Sequence, residues 1–359
     1  MDTRRLLRGI ALLALVALVA AGLWQTRGAA PRRLAAVTRR PQAVMGTACT
    51  LAVAVEPGDP RVAEAALREA EAELRAVEAR MSVWLTESEV SRLNASPAGE
   101  EVMLSPQTLE VLSVAREAAR QTEGAFDITC RPLIALWREA GERNRLPTDS
   151  QLRGARAASR WDLLEVTARG AIKHGEAVQV DLGGIAKGYG IDRAVAALAR
   201  APVLGGMVDV GGDVRCFGRP PNGRYWPVDI KDPFGEGVLA QMQVRDGAVC
   251  TSGSYARFTV IEGERYSHII DPRTGRPAEA VPSVTVLAAD AMTADVWATA
   301  LSVLAEDGLP RLPEGVEALL VVAPKRARKL VCTPGLRDVL REPLPEGLVT
   351  WEPEAPTAP

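Results

Sequence analysis

The sequence predicts an α+β fold, a helical first third followed by a strand-rich second half with no regular alternation of strand and helix. Helical periodicity is strongest between Asp59 and Gly124. Short apolar runs crowd the stretch after Gly206, and the 359 residues include 31 Gly and 25 Pro, as a loop-rich chain requires. That length holds one large or two ordinary domains with a buried core.

Taken in order, Met1–Arg8 is basic and Gly9–Trp24 is an apolar run of 16 residues. As a helix the run spans about 24 Å, against a hydrocarbon core of about 30 Å. That length suits a signal peptide, with Gly28-Ala29-Ala30 as a small-x-small cleavage site and Arg4-Arg5 in a twin-arginine position. An uncleaved anchor with its basic end inside is the alternative. On either reading residues 1–30 direct export, and the body lies in the periplasm or is anchored to the inner membrane facing it. Residues 31–42 are a Pro/Arg-rich linker, 43–340 the body, and 341–359 a proline-rich tail expected to be disordered.

Within the body, AVMGTACTLAVAV (Ala43–Val55) predicts a strand. Asp59-Pro60 supplies an N-cap and a Pro at the first helical position, and Val62, Ala66, Ala70, Leu74, Val77 and Met81 recur at helical spacing. Ser105-Pro106 opens a second helix carrying Leu109, Leu112, Ala115 and Ala119, and Gly124 follows its end. Val178, Val180 and Leu182 predict a short strand leading into the Gly-rich loop VDLGGIAKGYG. GMVDVGGDVRCFG, YWPVDI, AVCTSGSYARFTVI, YSHIIDP, VPSVTVLAA and EALLVVA predict further strands, and a helix starts near Thr293.

Composition excludes several classes. Lys and Arg number 43 and Asp and Glu 45, a net charge of −2, which leaves no basic footprint for nucleic acid. Aromatic residues make up 4%, too few for a base-stacking platform. The cysteines (Cys49, Cys130, Cys216, Cys250, Cys332) form no C-x-x-C pair, which disfavours a zinc knuckle or thioredoxin-like site. Singletons of this kind fit buried small hydrophobes, with one or two disulfides open in an oxidising compartment.

Three features bear on chemistry. Asp295 and Thr299 in MTADVWAT stand at i and i+4, Cβ atoms about 6 Å apart on one helix face. A carboxylate and a hydroxyl suit Mg²⁺, which takes few protein ligands beside waters and phosphates; an acid favoured by the helix dipole is the plainer reading. His268 ends a strand before a Pro- and Gly-rich turn, a usual place for functional groups, though a structural histidine fits as well. Glycines beside acids at Asp181, at Gly211-Gly212-Asp213 and at Thr251-Ser252-Gly253 allow several backbones to approach one anion, or make ordinary tight turns. Gly183, Gly184, Gly188 and Gly190 match neither the dinucleotide fingerprint nor the P-loop.

The succession MGT (Met45–Thr47), MSVWLTESEVSRLN, GAFDIT, VDLGGIAKGYGID, VDVGGDVR, TSGSY, SHIIDPRTGRP and TADVWAT resembles the FAD:protein FMN transferase (ApbE) family, in order, from about residue 43 to 310. The resemblance implies a T-fold-like, two-lobed α/β architecture with a flavin cleft between the lobes. It implies Mg²⁺-dependent transfer of FMN from FAD to a threonine of a target flavoprotein, with release of AMP. It assigns Met45, Trp84, Ala125, Phe126, Asp127, Asp181, Lys187 and Ile270 to the FAD pocket. Asp295, Thr299 and the Gly184 carbonyl would hold the metal, with Ala298 contributing at most its backbone where some relatives carry an acid. Trp84 stands where Tyr is frequent in the family, and keeps a stacking ring without the hydroxyl. His268 matches a proposed acid/base group, and Asp295 is the other expected catalytic residue; His268 or a nearby carboxylate would take the threonine proton. Family targets include sodium-pumping quinone reductases, Rnf-type complexes and regulators of nitrous-oxide respiration. An FAD pyrophosphatase releasing FMN and AMP, or an exported FAD carrier, are the alternative activities.

Overall fold

The computed structural model describes residues 34–352 except 59, 254–256, 323–327, 342–343 and 345–346. The export segment, the Asp59 cap, the end of TSGSY and the last residues of the tail lie outside the described residues.

Among the described residues the centre is a nine-stranded sheet whose spatial order follows the chain: β1 (Ala35–Arg39), β2 (Cys49–Val55), β3 (Gly205–Val210), β4 (Asp213–Gly218), β5 (Gly247–Gly253), β6 (Ser283–Ala288), β7 (Glu317–Val322), β8 (Lys329–Cys332) and β9 (Val349–Trp351). Neighbours are antiparallel except the β8–β9 pair. The link from β2 to β3 carries six helices: α1 (Pro60–Met81), α2 (Glu89–Ala95), α3 (Pro106–Gln121), α4 (Arg131–Glu142), α5 (Asp149–Ala158) and α6 (Ala186–Arg200). A seventh, α7 (Ala291–Leu304), follows β6.

Both faces of the sheet are covered, which explains why its strands read as nearly continuous apolar runs. In β7, Ala318 and Leu320 enter a core shared with α1, α6 and α7, while Leu319 and Val321 enter a second core. A three-stranded sheet of Trp226–Lys231, Val238–Val244 and Leu340–Arg341 closes that second core. A satellite core of Leu133, Trp137, Ala140, Leu152, Ile261 and Ile270 binds α4 and α5 to the hairpin at 258–267. No described helix is long and apolar enough to cross a membrane.

Several local expectations change. Ala35–Arg39, read as linker, pairs with β2 along its whole length, and Val349–Trp351, read as disordered tail, extends the opposite edge. The first helix buries Ala66, Ala70, Leu74, Val77 and Met81 of the expected stripe; at its start Ala63 and Leu67 are buried as well, while Val62 is 42% exposed. Val178, Val180 and Leu182 are buried but not in a strand. All five cysteines are free; four are buried and Cys130 is partly so.

Candidate active site

The Gly-rich loop is held by side chains, which replace the strand expected before it. Asn94 at the end of α2 accepts from the Val180 amide at 2.6 Å and donates to the Val180 carbonyl at 2.8 Å. The buried Lys173 donates to the Asn94 carbonyl at 2.8 Å, and burial lowers its pKa. Asp181 accepts from the Gly183 amide at 2.8 Å and pairs with Arg131 at 3.1 Å. Both bonds are made within the protein, so the Asp181 carboxylate is already positioned before any ligand arrives.

Two glycines set how closely the loop and α6 approach α7. A Cβ at Gly184 would lie 3.0 Å from the Thr299 hydroxyl and 3.2 Å from the Phe126 ring, so a side chain there must displace one of them. At Gly188 the same test is more severe: a Cβ would lie 2.2 Å from the Ala291 carbonyl oxygen. Helix propensity alone predicts that Gly188→Ala stabilises by up to about 1 kcal/mol. Because the obstacle is backbone, the expected result is the opposite, a loss of about 1–3 kcal/mol, read as a lower urea midpoint with unchanged slope.

The α6–α7 contact is locked in both directions. Asp192 of α6 accepts from the Ala291 and Met292 amides at 2.8 and 2.9 Å. In return Asp295 of α7 accepts from the Gly188 amide at 3.0 Å. The cap of α7 is Asp290, whose side chain accepts from the Thr293 amide at 2.8 Å, and not Thr293 itself. Asp295 therefore lies a full turn inside the helix, and the helix-start reading of this acid is replaced by a buried ion pair.

That pair is a cluster of three. Lys187 donates to the Asp213 carboxylate and lies 3.3 Å from Asp295 Oδ1. Asp213 also accepts from the Thr251 amide at 2.9 Å. Both carboxylates are almost fully buried. Burial pushes the Asp295 carboxyl up to about 6, Asp213 adds to the rise and Lys187 opposes it. Burial also works against the Lys187 charge, yet the two carboxylates together hold its pKa above the ordinary lysine range. Two anions and one cation leave one net negative charge, close to the neutral oxygens of Thr299 and, 3.5 Å from it, Ser252. One carboxylate, one hydroxyl and a carbonyl are a donor set of hard oxygens, as Mg²⁺ prefers. Among the described residues no three His, Cys, Asp or Glu side chains form a metal cluster, so a cation here would depend on this mixed set. Ala298 offers no side-chain donor: its methyl is buried, and its carbonyl accepts from the Ser302 hydroxyl at 2.8 Å.

The other expected residues stand on separate elements. Val44 and Thr47 exchange both backbone hydrogen bonds at 3.1 Å, closing a two-residue turn with φ of 53° at Met45 and 73° at Gly46. The turn sets Met45 on α6, where a Cβ at Gly190 would lie 3.1 Å from its sulfur. Ala125 and Phe126 are buried, and Asp127 caps a short 3₁₀ turn through Thr129, with its pKa raised chiefly by burial. Ile270 is buried in the satellite core. Trp84 is 74% exposed, its ring 5.6 Å from the Arg138 guanidinium. His268 Nδ1 donates to the Arg257 carbonyl at 2.9 Å, which leaves Nε2 as the free acceptor of the neutral ring. Surrounding protein lowers its pKa, mainly by desolvation and then by the Arg257 and Lys187 charges. The side chain is exposed by surface area, so water offsets part of that shift.

Spacing did not reveal Asn94, Arg131 or Lys173, and gave Asp213 no partner. Asn94 bonds a residue 86 positions away, and local periodicity carries no trace of such a bond. Its place at the end of MSVWLTESEVSRLN was the one available signal.

Comparison with known proteins identifies the family. The model of the ApbE family matches residues 45–320. The FAD:protein FMN transferase of Vibrio cholerae is 36% identical over 270 residues, covering 73% of this chain and 80% of its own. That of Treponema pallidum is 32% identical over 312 residues, covering 80% and 85%. Among solved structures, a flavin transferase ApbE from Vibrio cholerae superposes with a TM-score of 0.75 at 32% identity, covering 85% of this chain and 99% of that one. An ApbE protein from Thermotoga maritima gives 0.75 at 31% identity, covering 86% and 100%. The family model over residues 45–320, the relatives at 32% and 36% identity and the shared fold together place this chain in the ApbE family.

Proposed function

We propose that the protein transfers the FMN half of FAD to a threonine of an acceptor flavoprotein and releases AMP, with Mg²⁺ as cofactor. The observation that carries this is the buried Lys187–Asp213–Asp295 cluster, which sets one net negative charge beside Thr299 and the Gly184 backbone. Asp295, Thr299 and the Gly184 carbonyl would hold Mg²⁺, which neutralises the pyrophosphate of FAD when bound. Transfer of a phosphoryl group then rests mostly on positioning. The threonine oxygen bonds to the phosphorus of the FMN half, the bond from that phosphorus to the bridging oxygen breaks, and AMP departs with the oxygen.

His268 takes the threonine proton at Nε2. Its bond to the Arg257 carbonyl selects the tautomer with a bare Nε2, and its lowered pKa keeps the ring neutral at neutral pH. His268→Ala is expected to leave FAD binding nearly intact and to slow transfer by roughly 10²–10⁴-fold. Normal transfer by the variant would make His268 a turn residue.

Lys187 serves the site indirectly, since its charge is already taken up by Asp213 and Asp295. Its part is to keep two carboxylates together in the ionised state. The acceptor belongs to an exported respiratory complex, in keeping with the basic and apolar N-terminal segment. Sodium-pumping quinone reductases, Rnf-type complexes and nitrous-oxide regulators are the classes to test. Incubation with FAD, Mg²⁺ and such an acceptor should give covalent flavin on the acceptor and AMP in equal amount. Free FMN and AMP would show a pyrophosphatase, and unchanged FAD a carrier.

A further inference from the structure

A cleft of about 600 Å³ opens beside the GAFDIT segment. Phe126 turns its ring to Gly184, while its neighbours Gly124 and Asp127 line the cleft. The opposite wall is the end of α5 and the turn after it, and Arg273 of SHIIDPRTGRP closes a third side. The cleft therefore shares Asp127 with the expected FAD pocket but does not include Asp295, Thr299 or His268.

Its lining is basic and incompletely partnered. Arg160 is paired with Asp162, and Arg273 with Asp271 at 2.9 Å. Arg153 and Arg156, three positions apart on α5, have no ion-pair partner among the described residues. Ser159, only 5% exposed, has a hydroxyl with no hydrogen-bond partner. A buried hydroxyl left unpaired is costly, and Ser159 is among the residues that line the cleft.

We infer that this cleft binds an acidic segment of the acceptor polypeptide, and so holds the acceptor while its threonine reaches the flavin. The inference rests on the transfer reaction proposed above and names how its protein substrate is recognised. Guanidinium groups favour carboxylates through paired, charge-assisted hydrogen bonds. Asp127 and Asp162 in the same lining disfavour a phosphate, which brings only negative acceptors, but they suit a peptide, which also brings N–H donors. The volume fits a ligand of several residues' contact surface better than a single phosphate.

The test uses a fluorescent peptide with glutamates flanking a threonine, and its glutamine counterpart, titrated into the whole protein. The glutamate peptide is expected to bind at least about 10-fold more tightly, with the difference shrinking as salt rises. Arg153→Glu with Arg156→Glu should erase that preference while FAD affinity stays within about twofold, since both side chains are exposed and neither is among the residues expected to hold FAD or the metal. Ser159→Ala should weaken the glutamate peptide by a few fold without lowering thermal stability. Equal binding of the two peptides by the wild type would overturn the inference. So would displacement of the peptide by inorganic pyrophosphate with loss of FAD binding in the double variant, which would assign the cleft to the nucleotide. These readouts need no turnover, so a failure of FMN transfer would be seen separately, as peptide binding without covalent flavin.

Discussion

Asp295→Ala is expected to abolish FMN transfer and to remove the dependence of FAD affinity on Mg²⁺. The thin oxygen shell around the proposed metal binds Mg²⁺ weakly by itself and gains phosphate oxygens from FAD. Metal and FAD should thus raise each other's affinity by one common factor in the wild type. Removing the only carboxylate of the set leaves that factor near one. The variant also loses the acceptor for the Gly188 amide, and a buried unpaired amide costs about 1–3 kcal/mol. Asp295→Asn separates the two effects, because an amide oxygen can still accept from Gly188 while the charge is gone. Titration of FAD with and without Mg²⁺ decides: an unchanged metal dependence in Asp295→Asn would remove Asp295 from the metal site.

The same residue sets the sign of the pH dependence. Its carboxyl is raised from 3.8 to about 6 in the folded protein. The folded state therefore holds the proton more tightly than the unfolded state, and the associated stability is present below about 4. It is lost as pH rises through about 6. Mg²⁺ competes for the ionised form, so its stabilising effect on the protein should appear as pH rises through about 6 and vanish below it. Thermal melts with and without Mg²⁺ across that window check the direction.

Lys187→Ala is expected to cost more stability than any other single change in the cluster. Lys187 is the cation between two carboxylates whose side chains are 4% (Asp213) and 3% (Asp295) exposed. Taking away one side of a buried ion pair costs about 3–5 kcal/mol, and here two like charges are left facing each other. The loss should be smaller at pH 5 than at pH 8, since protonating Asp295 relieves the repulsion. Mg²⁺ should restore part of it. A urea midpoint that moves by less than about 1 kcal/mol equivalent would mean that water already screens the cluster.

How much of this was legible varies by element. Ser105-Pro106 marks the start of α3 because a cap and a Pro at the first position act on their own backbone. The strands of the second half are legible as apolar runs between turns, and the resemblance names Met45 and Phe126, which lie against Gly190 and Gly184. By contrast, Ala35–Arg39 has no signature of its own and becomes a strand through β2. Val178–Leu182 has the alternation of a strand, yet Asn94 satisfies Val180 on both sides in place of a strand partner.

The sequence by itself determined the fold class, the family and the shared face of Asp295 and Thr299, because each depends on order along the chain or on a spacing within one turn. Only the tertiary structure decided that Asp295 is a buried partner of Lys187 and not a helix-end acid. It alone brought Asp213 to the same lysine and moved the cap of α7 to Asp290. Lys187 meets residues 26 and 108 positions away. Such pairings form only when the sheet and helices close on one another, and the charge that results belongs to that packing rather than to any single segment.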